Sequence, residues 1–237
     1  MKKQQFKSGV WAKLLKTSKD FFKPGDIVLA AVSGGADSVC LLHFLNFLSG
    51  RDRFKLYACH VGHGLRKTAS RDEKFTKDLC KKYGVKCFTV KADVRKLAKE
   101  KSLSTEHAAR KARYDAFEKT GKKIKADYVA LAHHADDNAE TVLLNLLRSA
   151  SGVLRGIPRR RALNKNIEII RPFLEITKKD IMNYAKFNNL DFVEDETNKD
   201  NDYTRNWIRN ELLPLLATKQ PRIREHLTAI TKGIKNA

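Results

Sequence analysis

Acidic residues are scarce in this chain: 27 Asp and Glu stand against 48 Lys and Arg, a formal net charge of +21 over 237 residues. A surplus of that size attracts polyanions and makes their binding salt-dependent, with nucleic acid the first candidate, an anionic membrane surface the second, and a partnerless solubility adaptation the alternative. Hydrophobic residues still make up 42% of the chain, which excludes disorder and places the positive charge on a folded surface. Cysteine is equally sparse. Cys40, Cys59, Cys80 and Cys87 form no C-x-x-C pair and no metal-like cluster, so they read as buried, reduced thiols of a cytoplasmic protein. Lys2, Lys3, Lys7, Lys13 and Lys16 break up the N-terminus and leave no apolar core for a signal peptide. No apolar run is long enough to span a bilayer, so no membrane partner is expected. There is no internal repeat, and no Gly-x-x-x-x-Gly-Lys-Ser/Thr string of the kind that grips a γ-phosphate.

What the chain does contain is an abrupt transition. The apolar run Ile27-Val28-Leu29-Ala30-Ala31-Val32 ends in Ser33-Gly34-Gly35-Ala36-Asp37-Ser38, after which Val39, Leu41, Leu42, Leu45 and Leu48 recur at helical spacing. A buried strand feeding a glycine turn and a helix is the arrangement that presents free backbone amides to a phosphate. Gly34 and Gly35 let the backbone approach a ligand and take φ > 0, and Ser38 is placed to cap the helix. The alternative is a strand-to-helix turn that holds nothing.

Strand and helix then alternate. Strands are expected over residues 27–32, 55–60, 85–90, 126–132 and 167–170, with helices between them and a basic amphipathic helix over residues 7–22. Residues 93–120 read as helical with a break near Ser102, and Ser104 is placed to cap the second piece. The crossovers suit βαβ units, which predicts an α/β, doubly wound, mainly parallel five-stranded sheet with helices on both faces. Residues 149–161, with Pro158 and the basic run Arg155, Arg159, Arg160 and Arg161, read as a loop. Helices near 178–188 and 203–216 follow, with Pro214 in the last turn of the second and a basic tail beyond Thr218. The expected division is a basic helix over 1–24 packed on the domain, a catalytic domain over 25–217, and the tail over 218–237.

In an open parallel sheet, ligands bind beyond the carboxyl ends of the strands. Three polar segments fall there: residues 33–38, residues 60–66 with His60, His63 and Arg66, and residues 133–137 with His133, His134, Asp136 and Asp137. Asp136, Asp137 and Glu140 are spaced to share one side of a helix start. Stabilisation by the helix dipole is one explanation; a site for Mg²⁺, which takes one or two carboxylates together with phosphate oxygens, is the other.

Ser33-Gly34-Gly35-Ala36-Asp37-Ser38 resembles the pyrophosphate loop of the N-type ATP pyrophosphatases, which cleave ATP between its α and β phosphates. Further strings sharpen the likeness: Val61-Gly62-His63-Gly64-Leu65-Arg66, Glu106 through Arg110, Arg113 and Tyr114, and Ala132-His133-His134-Ala135-Asp136-Asp137-Asn138-Ala139-Glu140-Thr141. So do Arg171-Pro172-Phe173-Leu174, Val193-Glu194-Asp195-Glu196-Thr197-Asn198 and Tyr203-Thr204-Arg205-Asn206-Trp207-Ile208-Arg209-Asn210-Glu211. Together they are similar to the tRNA(Ile)-lysidine synthetases over roughly residues 27–216.

The resemblance implies an adenine nucleotide alpha hydrolase-like fold, with ATP and Mg²⁺ as cofactors. It implies two substrates, a CAU-anticodon isoleucine tRNA and free L-lysine, and a monomer or homodimer. The implied reaction adenylates the C2 carbonyl oxygen of the wobble cytidine, and lysine then displaces AMP to form lysidine. Ser33, Gly34, Gly35, Ala36, Asp37, Ser38 and Arg113 would bind ATP, and Arg110 would help neutralise its phosphates or bind tRNA or lysine, a solvated basic helix face being the alternative for both arginines. Asp37, Asp136 and Asp137 would hold the metal, and Asp37, His133, Asp137 and Glu140 would serve the chemistry, with a structural role for His133 left open. Arg205, Asn206 and Arg209 would bind lysine's carboxylate or tRNA phosphate, or only pack on a helix surface. Arg159 and Arg160, with Arg161, would touch tRNA. Two departures stand out: Gly62 where the family usually has Asp, Asn or His, and Asn138 where it usually has Gln. Many members also carry further C-terminal domains, so the chain is expected to work without them or to be a shortened form. A thiolase of the same superfamily is the closest rival, but it would call for paired cysteines.

Overall fold

The computed structural model of the chain describes residues 9–19, 21–62, 69–148, 155–193 and 204–233. In order these form α1 (Gly9–Ser18), β1 (Ile27–Ala31), α2 (Ala36–Asp52), β2 (Lys55–Gly62), α3 (Ala69–Lys82), β3 (Lys86–Lys91), α4 (Val94–Lys101) and α5 (Thr105–Ile124). Then come β4 (Tyr128–Ala130), α6 (Ala135–Leu147), β5 (Arg160–Ala162), β6 (Glu168–Ile170) and α7 (Lys178–Phe187). α8 (Thr204–Trp207), a π turn (Ile208–Leu212), α9 (Leu213–Lys219) and α10 (Ile223–Gly233) close the chain.

The strands make one sheet in the order β3-β2-β1-β4-β6-β5, parallel except for β5. From β1 the chain winds outward through β2 and β3, then returns to place β4 on the other flank. The carboxyl ends of β1 and β4 therefore diverge at a topological switch point, where a crevice opens. β1 alternates across the sheet: Val28 and Ala30 face one core with Trp11, Leu41, Leu45 and Phe173, and Leu29 faces the other with Phe117, Val129 and Ile169. A third cluster joins Ala139, Val142 and Leu143 of α6 to Ile208, Leu213 and Leu227, tying the C-terminal helices to the sheet.

The mainly parallel α/β architecture is as expected, but the sheet has six strands rather than five. Residues 160–162, read as loop, pair antiparallel with β6, Arg160 opposite Ile170 and Ala162 opposite Glu168. An exposed arginine edge strand has no apolar alternation to announce it, so only its partner reveals it. Ser104 caps α5 as predicted, its hydroxyl accepting the His107 amide at 3.3 Å. The helix expected near 203–216 is interrupted: the Leu213 amide reaches back five residues to Ile208 O, and Pro214 opens α9 instead of ending a helix. The tail is helical over α10. Among the described residues no helix is long and apolar enough to cross a membrane, and all four cysteines are free thiols.

Candidate active site

The glycine loop is held in shape from three directions. Gly34 takes φ +99°, a conformation that a side chain would strain, and a Cβ there would lie 3.4 Å from Thr76 Oγ1. The Val193 amide donates to Gly34 O at 3.0 Å. Ser38 does not cap α2, because Gly35 is the N-cap and no side chain bonds there. Its hydroxyl turns back into the loop instead, accepting the Ser33 and Gly34 amides at 3.1 and 3.2 Å and donating to Gly35 O at 2.9 Å. The first intrahelical bond runs from Val39 N to Gly35 O, so the Ala36, Asp37 and Ser38 amides have no carbonyl of their own helix to reach. With the positive end of the α2 dipole behind them, they are suited to an anion.

A cavity of about 540 Å³ opens beside this loop. Ser33, Gly35, Asp37 and Ser38 line one side, His60 and Gly62 the end of β2, Arg110, Arg113 and Tyr114 of α5 another side, and His133 and Asp137 the segment after β4. Three stretches that the sequence scatters over a hundred residues thus meet at the switch point. A side chain at Gly62 would find only Val90 O, 4.0 Å away, so no crowding demands glycine there. His63 to Arg66, residues 149–154, Glu194 to Asn198 and Tyr203 lie outside the described residues.

His134 and Asp137 form a reciprocal cap at the start of α6. The Asp137 carboxylate accepts the His134 amide at 3.0 Å, and His134 Nδ1 accepts the Asp137 amide at 3.4 Å. Burial alone would push the Asp137 carboxyl up, but His134, His133 and the His134 amide outweigh it and hold it below the usual carboxylate range. His133 is lowered too, which for a base favours the neutral form. Burial, aided by Arg171, Arg113 and Arg110, outweighs Asp137 and drops it to about 3, so the imidazole is neutral at pH 7. Its Nδ1 is buried without a hydrogen-bond partner among the described residues. Arg113 is disfavoured as a cation first by desolvation and next by Arg110. Two guanidinium groups, those of Arg110 and Arg161, lie 5.1 and 5.0 Å from the Tyr114 ring centre.

The remaining acids are placed differently. Glu140 is buried under two arginines, with Arg209 Nε at 2.6 Å, Arg209 Nη2 at 2.9 Å and Arg205 Nε at 3.2 Å. The Glu140 carboxylate outweighs the burial of Arg209 and raises its guanidinium above its ordinary value. Asp136 forms an ion pair with Arg224 of α10 at 2.9 Å and accepts the Lys178 amide at 2.7 Å. Neither Glu140 nor Asp136 lines the cavity. Asn206 lies beside Arg205 on α8. Arg159 and Arg160 lie on and beside the edge strand, over the Phe21 ring, with Arg159 also donating to Thr17 O and Arg160 paired with Glu168 at 2.9 Å. Asn138, the shortened amide, is buried and accepts the Ile157 amide at 2.6 Å, anchoring the segment that leads into β5.

Lys178, which no motif included, and Arg171, from the Arg171-Pro172-Phe173-Leu174 string, complete the picture. Lys178, the first residue of α7, places Nζ 2.6 Å from Asp37 Oδ1. Arg171, buried after β6, donates to Pro158 O at 2.6 Å. The one local signal for Lys178 is a cation at a helix start, against the dipole.

Mg²⁺ is a test of the carboxylates. Among the described residues no group of three or more His, Cys, Asp or Glu is arranged to hold a metal ion. Asp37 and Asp137 flank His134, whose Nε2 lies 3.8 and 3.6 Å from one oxygen of each, and both face the cavity. A pair of carboxylates completed by phosphate oxygens and water suits Mg²⁺, so the pair fits; Asp137 also lies 3.5 Å from Arg209 Nη2, whereas Asp136 does not line the cavity.

A family described as a PP-loop domain matches residues 7–216. A tRNA(Ile)-lysidine synthase from Oceanobacillus iheyensis is 41% identical over 203 residues, covering 85% of this chain and 43% of that protein. The Bacillus subtilis protein of the same name is 38% identical over 228 residues, covering 93% and 48%. The chain thus spans under half the length of these two curated relatives. Among solved structures, a U34-tRNA thiolase from Methanococcus maripaludis, bearing a [4Fe-4S] cluster, superposes with a TM-score of 0.83 at 18% identity, covering 99% of this chain and 82% of that one. At that identity the likeness concerns the fold alone.

Proposed function

Since the chain belongs to the PP-loop domain family, we propose that it adenylates the wobble cytidine of a CAU-anticodon isoleucine tRNA and joins lysine to C2 of that base. The observation that carries this reading is the meeting of residues 33–38 with His133, Asp137, Arg110 and Arg113 around one cavity at the switch point. The names of the curated relatives support a tRNA substrate.

In the first step the C2 carbonyl oxygen of cytidine attacks the α phosphorus of ATP. The bond from that phosphorus to the bridging oxygen breaks, and pyrophosphate leaves with the electron pair. The amides of Ala36, Asp37 and Ser38 receive the growing negative charge, which preorganised donors stabilise without reorganising. Arg113 and Arg110 neutralise the phosphates from the opposite wall. Neutral His133 offers one N–H and one lone pair to the nucleotide or base and adds no charge. Bound between Asp37 and Asp137, Mg²⁺ would supply charge neutralisation for the leaving diphosphate. In the second step ionised Asp137 draws the cationic lysine towards the site; the amine, its ammonium proton lost to solvent, attacks C2, the bond from C2 to the adenylated oxygen breaks, and AMP departs with that oxygen and the electron pair. Glu140, clamped by Arg205 and Arg209, keeps the wall behind Asp137 rigid.

The test is to incubate the protein with ATP, Mg²⁺, candidate tRNAs and lysine. Lysine-dependent AMP release confined to the CAU-anticodon isoleucine tRNA is expected. Dependence on a sulfur donor or on ammonia in place of lysine would overturn the assignment.

A further inference from the structure

This chain lacks the lysine that a Walker loop would carry beside its phosphates, and tertiary structure supplies one from elsewhere. Lys178 lies 141 positions from Asp37 in sequence, yet its Nζ is 2.6 Å from the side chain of Asp37, a residue whose own amide lacks an intrahelical partner. We propose that Lys178 is the cation that receives the departing pyrophosphate, leaving Asp37 for the β-phosphate end of the nucleotide when it arrives. The inference rests on the adenylating reading given above.

Three features of the residue support it. Its position is unfavourable on local grounds: a cation at the first position of α7 opposes the helix dipole, and Thr177 already caps that helix, accepting the Asp180 amide at 3.1 Å. Its base is anchored in a more buried contact than its tip. The Lys178 amide is bound by Asp136, itself paired with Arg224 of α10, whereas the ion pair with Asp37 joins side chains that are 43% and 31% exposed. Partly exposed pairs of this kind are weakly held and readily exchanged. Finally, a diphosphate carries several negative charges to the one of Asp37, so the flexible four-carbon stem swings towards the stronger anion. The same swing frees Asp37 Oδ1, the oxygen that Lys178 holds. Lysine acts on phosphate as a point charge, so a short displacement keeps the contact as pyrophosphate moves off.

The experiment is calorimetric titration of the whole chain with inorganic pyrophosphate, with an ATP analogue that cannot be cleaved between α and β, and with AMP. Wild type is compared with Lys178→Met and Lys178→Arg. Pyrophosphate and the analogue should bind Lys178→Met about tenfold or more weakly, AMP should bind it unchanged, and Lys178→Arg should recover most of the loss. Pyrophosphate bound equally or more tightly by Lys178→Met would overturn the proposal, since the lysine would then only neutralise Asp37. Equal weakening of AMP would overturn it as well. If Lys178→Met melts early, Lys178→Gln is read by the same criteria. Wild type that binds neither ATP analogue nor pyrophosphate defeats the adenylating reading itself, whereas wild-type binding left unchanged by the variants defeats the role of Lys178 alone.

Discussion

Glu140 and Asp37 are both carboxylates on helices that border the cavity, yet Glu140 is 1% exposed and held by two arginines while Asp37 is 31% exposed and held by one lysine. Glu140 has its oxygens shared among three guanidinium nitrogens and touches nothing in the cavity. It joins α6 to α8 and the π turn, so its energy goes into the scaffold. Asp37 keeps one oxygen on Lys178 and turns the other towards His134 and the open cavity. A saturated buried cluster is costly to disturb and slow to rearrange. A single half-exposed pair has little to lose and is the kind of contact a charged substrate can exchange. The contrast separates an acid of the framework from one open to exchange, a distinction that residue type alone does not make.

If the proposed function holds, breaking the exchangeable side has the largest effect. Asp37→Ala is expected to slow pyrophosphate release by about a thousandfold while tRNA binding, followed by filter retention, stays intact. Equal loss of binding would place Asp37 in the framework instead. On the framework side, Glu140→Gln should lower the unfolding free energy by about 2–3 kcal/mol in urea titrations. That is less than a wholly buried pair would cost, because Arg205 and Arg209 remain 33% and 36% exposed. A loss below about 0.5 kcal/mol would show that Glu140 contributes no more than a surface ion pair.

Acid sharpens the comparison from another side. Burial lowers His43 to about 4 and His133 to about 3, from 6.5, so between those values the unfolded chain binds more protons than the folded one. Stability is then complete above pH 6.5 and falls as pH drops, until the folded histidines also take up protons. Lowering the pH by one unit from 6.5 should cost about 1 kcal/mol for each histidine, read from thermal or urea unfolding. A flat profile would mean that neither imidazole is desolvated. The smallest effects belong to the edge strand. Arg161→Ala should reduce the slope of log affinity for tRNA against log salt by about one. Arg159→Ala should leave that slope unchanged, because its guanidinium is bound to Thr17 O and lies over the Phe21 ring. The reverse pattern would exchange their roles.

Much of this was legible beforehand where the cause is local. The β1–α2 transition combines an apolar strand, a glycine pair and a helical repeat within two dozen residues, and it folds as read. Ser104 announces α5 by the same short-range logic, satisfying an amide three residues on. Ser38 shows the limit, since a hydroxyl near a helix start can cap the helix or close the loop before it, and only the backbone path selects the loop. The π turn was hidden because residues 203–216 keep an apolar helical rhythm whether the bonds reach back four residues or five. Pro214, which cannot donate an amide, is the one local hint of a break.

The amino-acid order by itself determined that a phosphate-binding loop exists, that strands and helices alternate, and that the surface is basic, because each depends on neighbours within a few residues or on composition. Only the tertiary structure decided which charges meet. Lys178 reaches Asp37 across 141 positions, and Arg205 and Arg209 close on Glu140 across 65 and 69. Such encounters depend on how every intervening element packs, and Coulomb interactions at these distances turn on displacements of a few ångströms that no local pattern encodes.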